Sequence, residues 1–152
     1  QIYSSLRESE IFKIPQGQID PKKVAIMMPF TSHLAPVDKK IKEICDELGL
    51  TCLRADDIWE NETVMQDVFD LIYTSTVVIA DFTGKNPNVF YEAGIAHTLG
   101  KTVIPLTQDM SDVPFDLTHH RILKYLLNEE GLNAMGSELK KRLKTIFATD
   151  EF

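Results

Sequence analysis

The chain has 152 residues, 43% hydrophobic and 26% charged, and a formal net charge of −7 at pH 7. This predicts one globular domain, and the negative charge argues against a nucleic-acid polymer as partner, because such binding draws most of its affinity from basic side chains. No stretch approaches the roughly 18 apolar residues of a membrane helix and no signal peptide is visible, so we expect a cytoplasmic protein without a membrane partner.

Residues 1–22 are polar and lack sustained periodicity, so we interpret them as a linker or N-terminal extension before a domain over residues 23–152. From there, short apolar runs alternate with segments of helical periodicity. In chain order the pattern predicts a strand at Val24–Met28, a helix through Val37 and Leu48, a strand at Thr51–Ala55, a helix through Val64 and Ile72, a strand at Thr76–Ala80, a helix from Asn88 to about Leu99, strands at Thr102–Leu106 and Arg121–Leu126, and a helix from Glu129 to Phe147.

This alternation predicts a parallel sheet with helices on both faces. Right-handed crossovers favour a flavodoxin-like, three-layer α/β sandwich whose five parallel strands have the order 2-1-3-4-5. In such sheets ligands bind beyond the carboxyl ends of the strands. That rule selects the loops at residues 29–36, 56–61 and 81–88, with 108–117 at the same edge.

The densest chemical signal is DFTGKNPNVFYEAG, at residues 81–94. Asp81 ends the middle strand, Asn88 is the predicted cap of the following helix, and Glu92 lies just beyond the first turn. The positive end of the helix favours an ionised Glu92, which suits a nucleophile or a cation stabiliser. The alternative is that Glu92 is a solvated helix acid and Asp81 a loop cap.

Aromatic and polar side chains at the same loop ends can contact a ligand. Phe30 can stack on a nucleobase, Trp59 can pack against one, and Asp56 can hold sugar hydroxyls. Core packing of the rings and capping of the loop are the alternatives. The candidate substrate-binding residues are Pro29, Phe30, Asp56, Trp59, Asn86, Asn88, Phe115 and Asp116.

Cofactor and metal motifs are missing from the sequence. It contains no P-loop, GxGxxG or GxSxG pattern, and its histidines and cysteines match no zinc spacing. We therefore expect neither a cofactor nor a metal, and we interpret Cys45 and Cys52 as free thiols of a reducing compartment.

The runs VAIMMPF, RADDIW, VVIADFTGKNPNVFYEAGIAHTLGKTVIPLTQ and VPFDL resemble bacterial nucleoside 2-deoxyribosyltransferase-like domains, over about residues 23–126. The resemblance implies a flavodoxin-like fold that cleaves or transfers N-glycosidic bonds, with Glu92 as the nucleophile and Asp81 positioning or protonating the substrate. The same layout resembles Toll/interleukin-1 receptor (TIR) domains, whose NAD-cleaving members also place a catalytic Glu in the helix after the third strand.

Three functions remain open from the sequence. The first is cleavage or transfer at the N-glycosidic bond of a nucleoside or nucleotide, with NAD hydrolysis as a variant. The second is nucleotide sensing without turnover within a larger signalling or defence protein, and the third is a TIR-like interaction domain. The expected partner is a nucleoside or nucleotide, and a homo-oligomer stays open because enzymes of the resembled family are oligomers.

Overall fold

A computed structural model describes residues 9–55 and 64–148 of the chain. Strands and helices alternate along it as the sequence predicts. The elements are β1 (Lys23–Met27), α1 (Ala35–Glu47), β2 (Thr51–Arg54), α2 (Val64–Thr74), β3 (Val77–Asp81), α3 (Pro87–Thr98), β4 (Thr102–Thr107), β5 (Leu123–Lys124) and α4 (Glu129–Ala148).

The strands form one parallel sheet with the order β2-β1-β3-β4-β5, which confirms the predicted fold class and topology. β3 lies in the middle of the sheet, and all five of its residues are buried. A strand covered on both faces carries apolar side chains on both, which explains the continuous run Val77–Ala80. Among the described helices, none combines the length and apolar character needed to cross a bilayer.

Two hydrophobic clusters lie on opposite faces of the sheet. Val77 and Ile79 of β3 pack into the cluster that contains the buried faces of α1 and α4. Val78 and Ala80, followed by Phe82, pack into the cluster formed with α2 and α3. Successive strand side chains point to opposite faces, so this alternation decides which helices each β3 residue can meet.

The fifth strand is shorter than predicted. The sequence suggested Arg121–Leu126, but only Leu123 and Lys124 pair with β4. The carbonyl of Arg121 instead accepts a 2.7 Å hydrogen bond from the guanidinium of Arg142 in α4. This tertiary contact uses a backbone group that a longer strand would turn towards β4.

The segment before β1 lies against α2. Phe12 stacks on Phe69 with 4.7 Å between ring centroids and 6° between planes. The backbone of Lys13 exchanges two hydrogen bonds with the side-chain amide of Gln66. Residues 9–22 contain no helix or strand, so their assignment as a linker or extension stays a prediction.

The stacked ring of Phe12 provides a stability test. We expect Phe12→Ala to lower the free energy of unfolding by about 1–2 kcal/mol, because a half-buried ring loses its aromatic contact and part of its buried area. Ile11→Ala is the control, since Ile11 is 71% exposed, and should change stability by less than about 0.5 kcal/mol. Urea unfolding measures both, and equal effects would contradict the docking of Phe12.

Candidate functional site

The loop after β3 leads into α3 through an asparagine cap. The Oδ1 atom of Asn86 accepts hydrogen bonds from the backbone N–H groups of Asn88 (2.9 Å) and Val89 (3.4 Å). The predicted cap at Asn88 was therefore wrong. Pro87 occupies the first helical position, where its fixed φ and missing N–H are favourable, so the capping residue is the one before it.

A cavity of ≈ 130 Å³ opens at the carboxyl end of β1, beside the start of α3. Its apolar wall comes from Met28, which directly follows β1, and from methionine and valine side chains of α2 and α3. It brings together five of the predicted site residues, namely Pro29, Phe30, Asn86, Asn88 and Glu92.

Glu92 is the titratable group of this cavity. Burial among apolar neighbours raises its pKa from the ordinary 4.5 to about 7. Its carboxyl group makes no hydrogen bond or ion pair with residues 9–55 or 64–148. The sequence favoured a readily ionised carboxylate, but Glu92 lies beyond the first turn of α3, where the helix dipole has faded and desolvation dominates.

Asp81 does not line this cavity, as far as the described residues define it. Its fully buried Oδ1 accepts hydrogen bonds from the Thr83 N–H (3.0 Å) and hydroxyl (2.6 Å), and Oδ2 accepts from the Tyr125 hydroxyl (2.5 Å). Burial raises the Asp81 pKa, and the hydrogen bonds from Thr83 and Tyr125 oppose that rise. The strand alternation explains this placement, because Asp81 follows Val77 and Ile79 on the face of α1 and α4.

The hydrogen bonds of Asp81 belong to a network that ties β3 to the ends of β4 and β5. The hydroxyl oxygen of Thr83 accepts from the backbone N–H of Gln108 (3.0 Å), whose side-chain amide donates to the Tyr125 hydroxyl (3.2 Å). Burial, and then the Asp81 carboxylate, raise the pKa of Tyr125. Tyr125 and Gln108 were not predicted as site residues, because no local sequence signal links them to Asp81.

The remaining predicted residues lie elsewhere. Phe115 is 87% exposed in a short 3-10 helix, and neither it nor Asp116 lines the Glu92 cavity. Asp56 and Trp59 lie outside the described residues.

Phe30 has a partner that the sequence did not suggest. It is 58% exposed, and the guanidinium of Arg54 lies 4.9 Å from its ring centroid. Arg54 is buried at the end of β2, with Asp38 at 3.9 Å. This cation–π contact covers one face of Phe30 and leaves the rest of the ring open to a ligand.

Neither cysteine is placed as a nucleophile. Cys45 is buried in α1 and Cys52 is partly buried in β2, and both are free. The hydrogen bond with Cys45, and then burial, raise the pKa of the Cys52 thiol, so little reactive thiolate forms. Within the described ranges, no three His, Cys, Asp or Glu residues are grouped to hold a metal ion.

Comparisons with known proteins place the chain by its fold. No protein-family model and no curated protein sequence matches it. Among solved structures, a 2-desoxiribosyltransferase from Leishmania mexicana matches with a TM-score of 0.51 and 20% identity, over 59% of this chain and 66% of the transferase. The TIR domain of the Toll-related receptor TRR-2 from Hydra magnipapillata matches with a TM-score of 0.61 and 17% identity, over 80% of this chain and 97% of that domain.

A TIR-STING receptor from C. gigas, solved in complex with 2',3'-cGAMP, matches with a TM-score of 0.57 and 14% identity. The match covers 84% of this chain and 42% of the receptor, so the chain spans less than half of the receptor and just under two thirds of the transferase. These identities support the TIR-like, flavodoxin-like fold and nothing finer.

The buried hydrogen bond between Tyr125 and Asp81 can be tested by removing its donor. We expect Tyr125→Phe to lower the free energy of unfolding by about 1–3 kcal/mol, because Oδ2 of a fully buried carboxylate loses its partner. Tyr91→Phe is the matched control, since Tyr91 is 51% exposed. Guanidinium unfolding measures both, and a Tyr125 effect no larger than that of Tyr91 would exclude a structural role for this bond.

The raised pKa of Glu92 predicts how stability depends on pH. Between about pH 4.5 and 7, Glu92 keeps its proton in the folded state, whereas the unfolded chain releases it. The free energy of unfolding therefore falls as pH rises through that window. Glu92→Gln should therefore stabilise the fold by about 1–3 kcal/mol at pH 8, with a much smaller gain at pH 5. Glu43→Gln, which removes a carboxylate at an exposed position in α1, is the control, and an equal gain at pH 8 from both substitutions would contradict the prediction.

Proposed function

We propose that this chain binds a nucleoside or nucleotide at the Glu92 cavity and cleaves or transfers its N-glycosidic bond. The observation that carries the proposal is a desolvated carboxyl group, unpaired among the described residues, beside an exposed aromatic ring at the carboxyl end of the sheet. A perturbed acid in a cleft is typical of catalytic sites. The position also follows the rule for ligand binding in open parallel sheets.

The size of the cavity indicates how a ligand would lie. Its ≈ 130 Å³ is below the roughly 300 Å³ at which pockets for whole ligands begin, so it suits one ring of a nucleoside. We propose that the sugar enters the cavity beside Glu92 and that the base stacks on the open part of Phe30. Asn86 and Asn88, at the cavity mouth, supply amide groups for the sugar hydroxyls or a phosphate.

In the proposed reaction the ionised Glu92 carboxylate attacks C1′, and the bonding electrons leave with the base. The base takes its proton from solvent. Water or an acceptor base then displaces Glu92 from C1′, which gives hydrolysis or transfer with overall retention at C1′. A carboxylate that only shields the cationic transition state would not form the covalent intermediate.

The role that we propose for Asp81 is to position the loop rather than to donate a proton. Its bonds to Thr83 fix the first residues after β3, and the same loop continues to the Asn86 cap that starts α3. Asp81 thereby holds the helix that carries Glu92, although it does not touch the cavity.

A second function is supported by the fit to TIR domains, since the chain covers 97% of the Hydra domain with a TM-score of 0.61. In that case the cavity senses a nucleotide without turnover, or the chain serves as an interaction domain. Nucleotide binding without product over a long incubation would favour sensing. Concentration-dependent assembly without ligand would favour the interaction domain.

Base release from 2′-deoxynucleosides, nucleoside monophosphates and NAD, followed by chromatography, tests the proposed reaction. We expect Glu92→Gln to lower kcat by about a thousandfold or more, because the amide cannot act as the nucleophile. Since Glu92→Gln should not lose stability at pH 8, unfolding cannot account for that loss. Glu43→Gln is the control and should keep full activity.

The pH profile separates the roles of Glu92. A nucleophile must be ionised, so kcat/KM of the parent protein should rise with pH and level off above about 7, where Glu92 has lost its proton. A fall in kcat/KM above pH 7 would instead assign Glu92 as a proton donor. Turnover by Glu92→Gln at the parent rate would refute both roles.

A further inference from the structure

The outer edge of β4 is mostly unpaired. β5 pairs with Leu106 and Thr107 only, so Thr102–Pro105 has no strand neighbour on that side within the described residues. Unpaired edges present backbone groups that can bind another extended chain.

The direction of these backbone groups follows from two hydrogen bonds. The Leu106 carbonyl accepts from Phe82 on the β3 side, and the Thr107 carbonyl accepts from Tyr125 on the opposite side. Backbone groups of a strand alternate in direction with a period of two, so Val103 and Pro105 point the same way as Thr107. The open edge therefore offers the N–H and C=O of Val103 and the C=O of Pro105, which has no N–H to offer.

This edge forms one wall of a groove of ≈ 390 Å³ whose other wall is α4. Three basic residues, Arg121, Lys141 and Arg142, and the acidic residue Glu138 lie at the rim of the groove. Glu138 pairs with Arg142 at 3.4 Å. Arg121 and Lys141 are exposed and make no ion pair with another described residue, so the groove has local positive charge in a chain whose net charge is −7.

These two features point to an extended peptide as the occupant. Two outward carbonyls require N–H donors, which a strand-like peptide supplies and a free phosphate lacks. The basic rim complements acidic side chains on the α4 face of an added strand. The alternate side chains of that strand then lie on its opposite face, beside the side chains of Val103 and Pro105, which point away from α4.

We propose that the groove between β4 and α4 binds an extended acidic peptide segment of a partner protein, which adds a strand to the outer edge of β4. Peptide N–H groups donate to the carbonyls of Val103 and Pro105, a peptide carbonyl accepts from the Val103 N–H, and acidic side chains pair with Arg121 and Lys141. The groove shares no lining residue with the Glu92 cavity, so this interaction is separate from the proposed reaction.

An NMR titration of the full chain tests the proposal. The probe is a short capped peptide in which glutamate and valine alternate, and the readouts are the amide shift and hydrogen-exchange rate of Val103. We expect a saturable shift centred on the groove and slower exchange of that amide. The same peptide N-methylated at alternate residues, so that its donors are removed, should not bind.

Charge reversal supplies the matched variants. Arg121→Glu with Lys141→Glu should weaken binding by about tenfold, as the loss of two exposed ion pairs predicts. Lys22→Glu with Lys39→Glu changes the net charge equally at exposed positions outside the groove and should leave the affinity unchanged. Equal weakening by both pairs, binding that survives N-methylation, or groove shifts caused only by self-association of the chain would overturn the proposal.

Discussion

The alternation of side chains along the central strand is the constraint on which the rest of the structure depends. β3 is covered by helices on both faces, so every one of its residues must suit one of two separate cores. The same alternation turns Asp81 towards Tyr125 and the α4 face, while α3 and Glu92 lie across the sheet. Asp81 and Glu92, on consecutive elements of the chain, therefore have different environments.

The environments of these acids favour the different roles that we propose for them. Asp81 is fully buried, but three hydrogen bonds compensate its carboxylate, and those bonds join the ends of β3 and β5 and fix the loop to α3. Glu92 is desolvated without such compensation from the described residues, which is a cost to folding. Unsatisfied, strained or desolvated groups that a fold keeps are typical of sites where a ligand completes the interactions.

The fold was predictable because its signals are local. β-branched runs, helical periodicity and glycines such as Gly49 and Gly100, both with positive φ, mark the elements and their ends. Right-handed crossovers then leave few strand orders, and the predicted one was confirmed. The cap at Asn86 was also predictable from the local sequence, had the preference of Pro87 for the first helical position been applied.

What could not be predicted depends on contacts between distant residues. β5 begins after Arg121, whose carbonyl accepts a hydrogen bond from Arg142, and Tyr125, one of the two partners of Asp81, lies 44 residues further along the chain, just after β5. Burial of Glu92 depends on the loop after β1 together with α2 and α3. The central claim is tested by a carboxyl-resolved NMR titration of Glu92, with and without a nucleoside monophosphate. We expect a titration midpoint near pH 7 that shifts when the ligand binds. A midpoint near pH 4.5 that does not change when the ligand is added would contradict the claim.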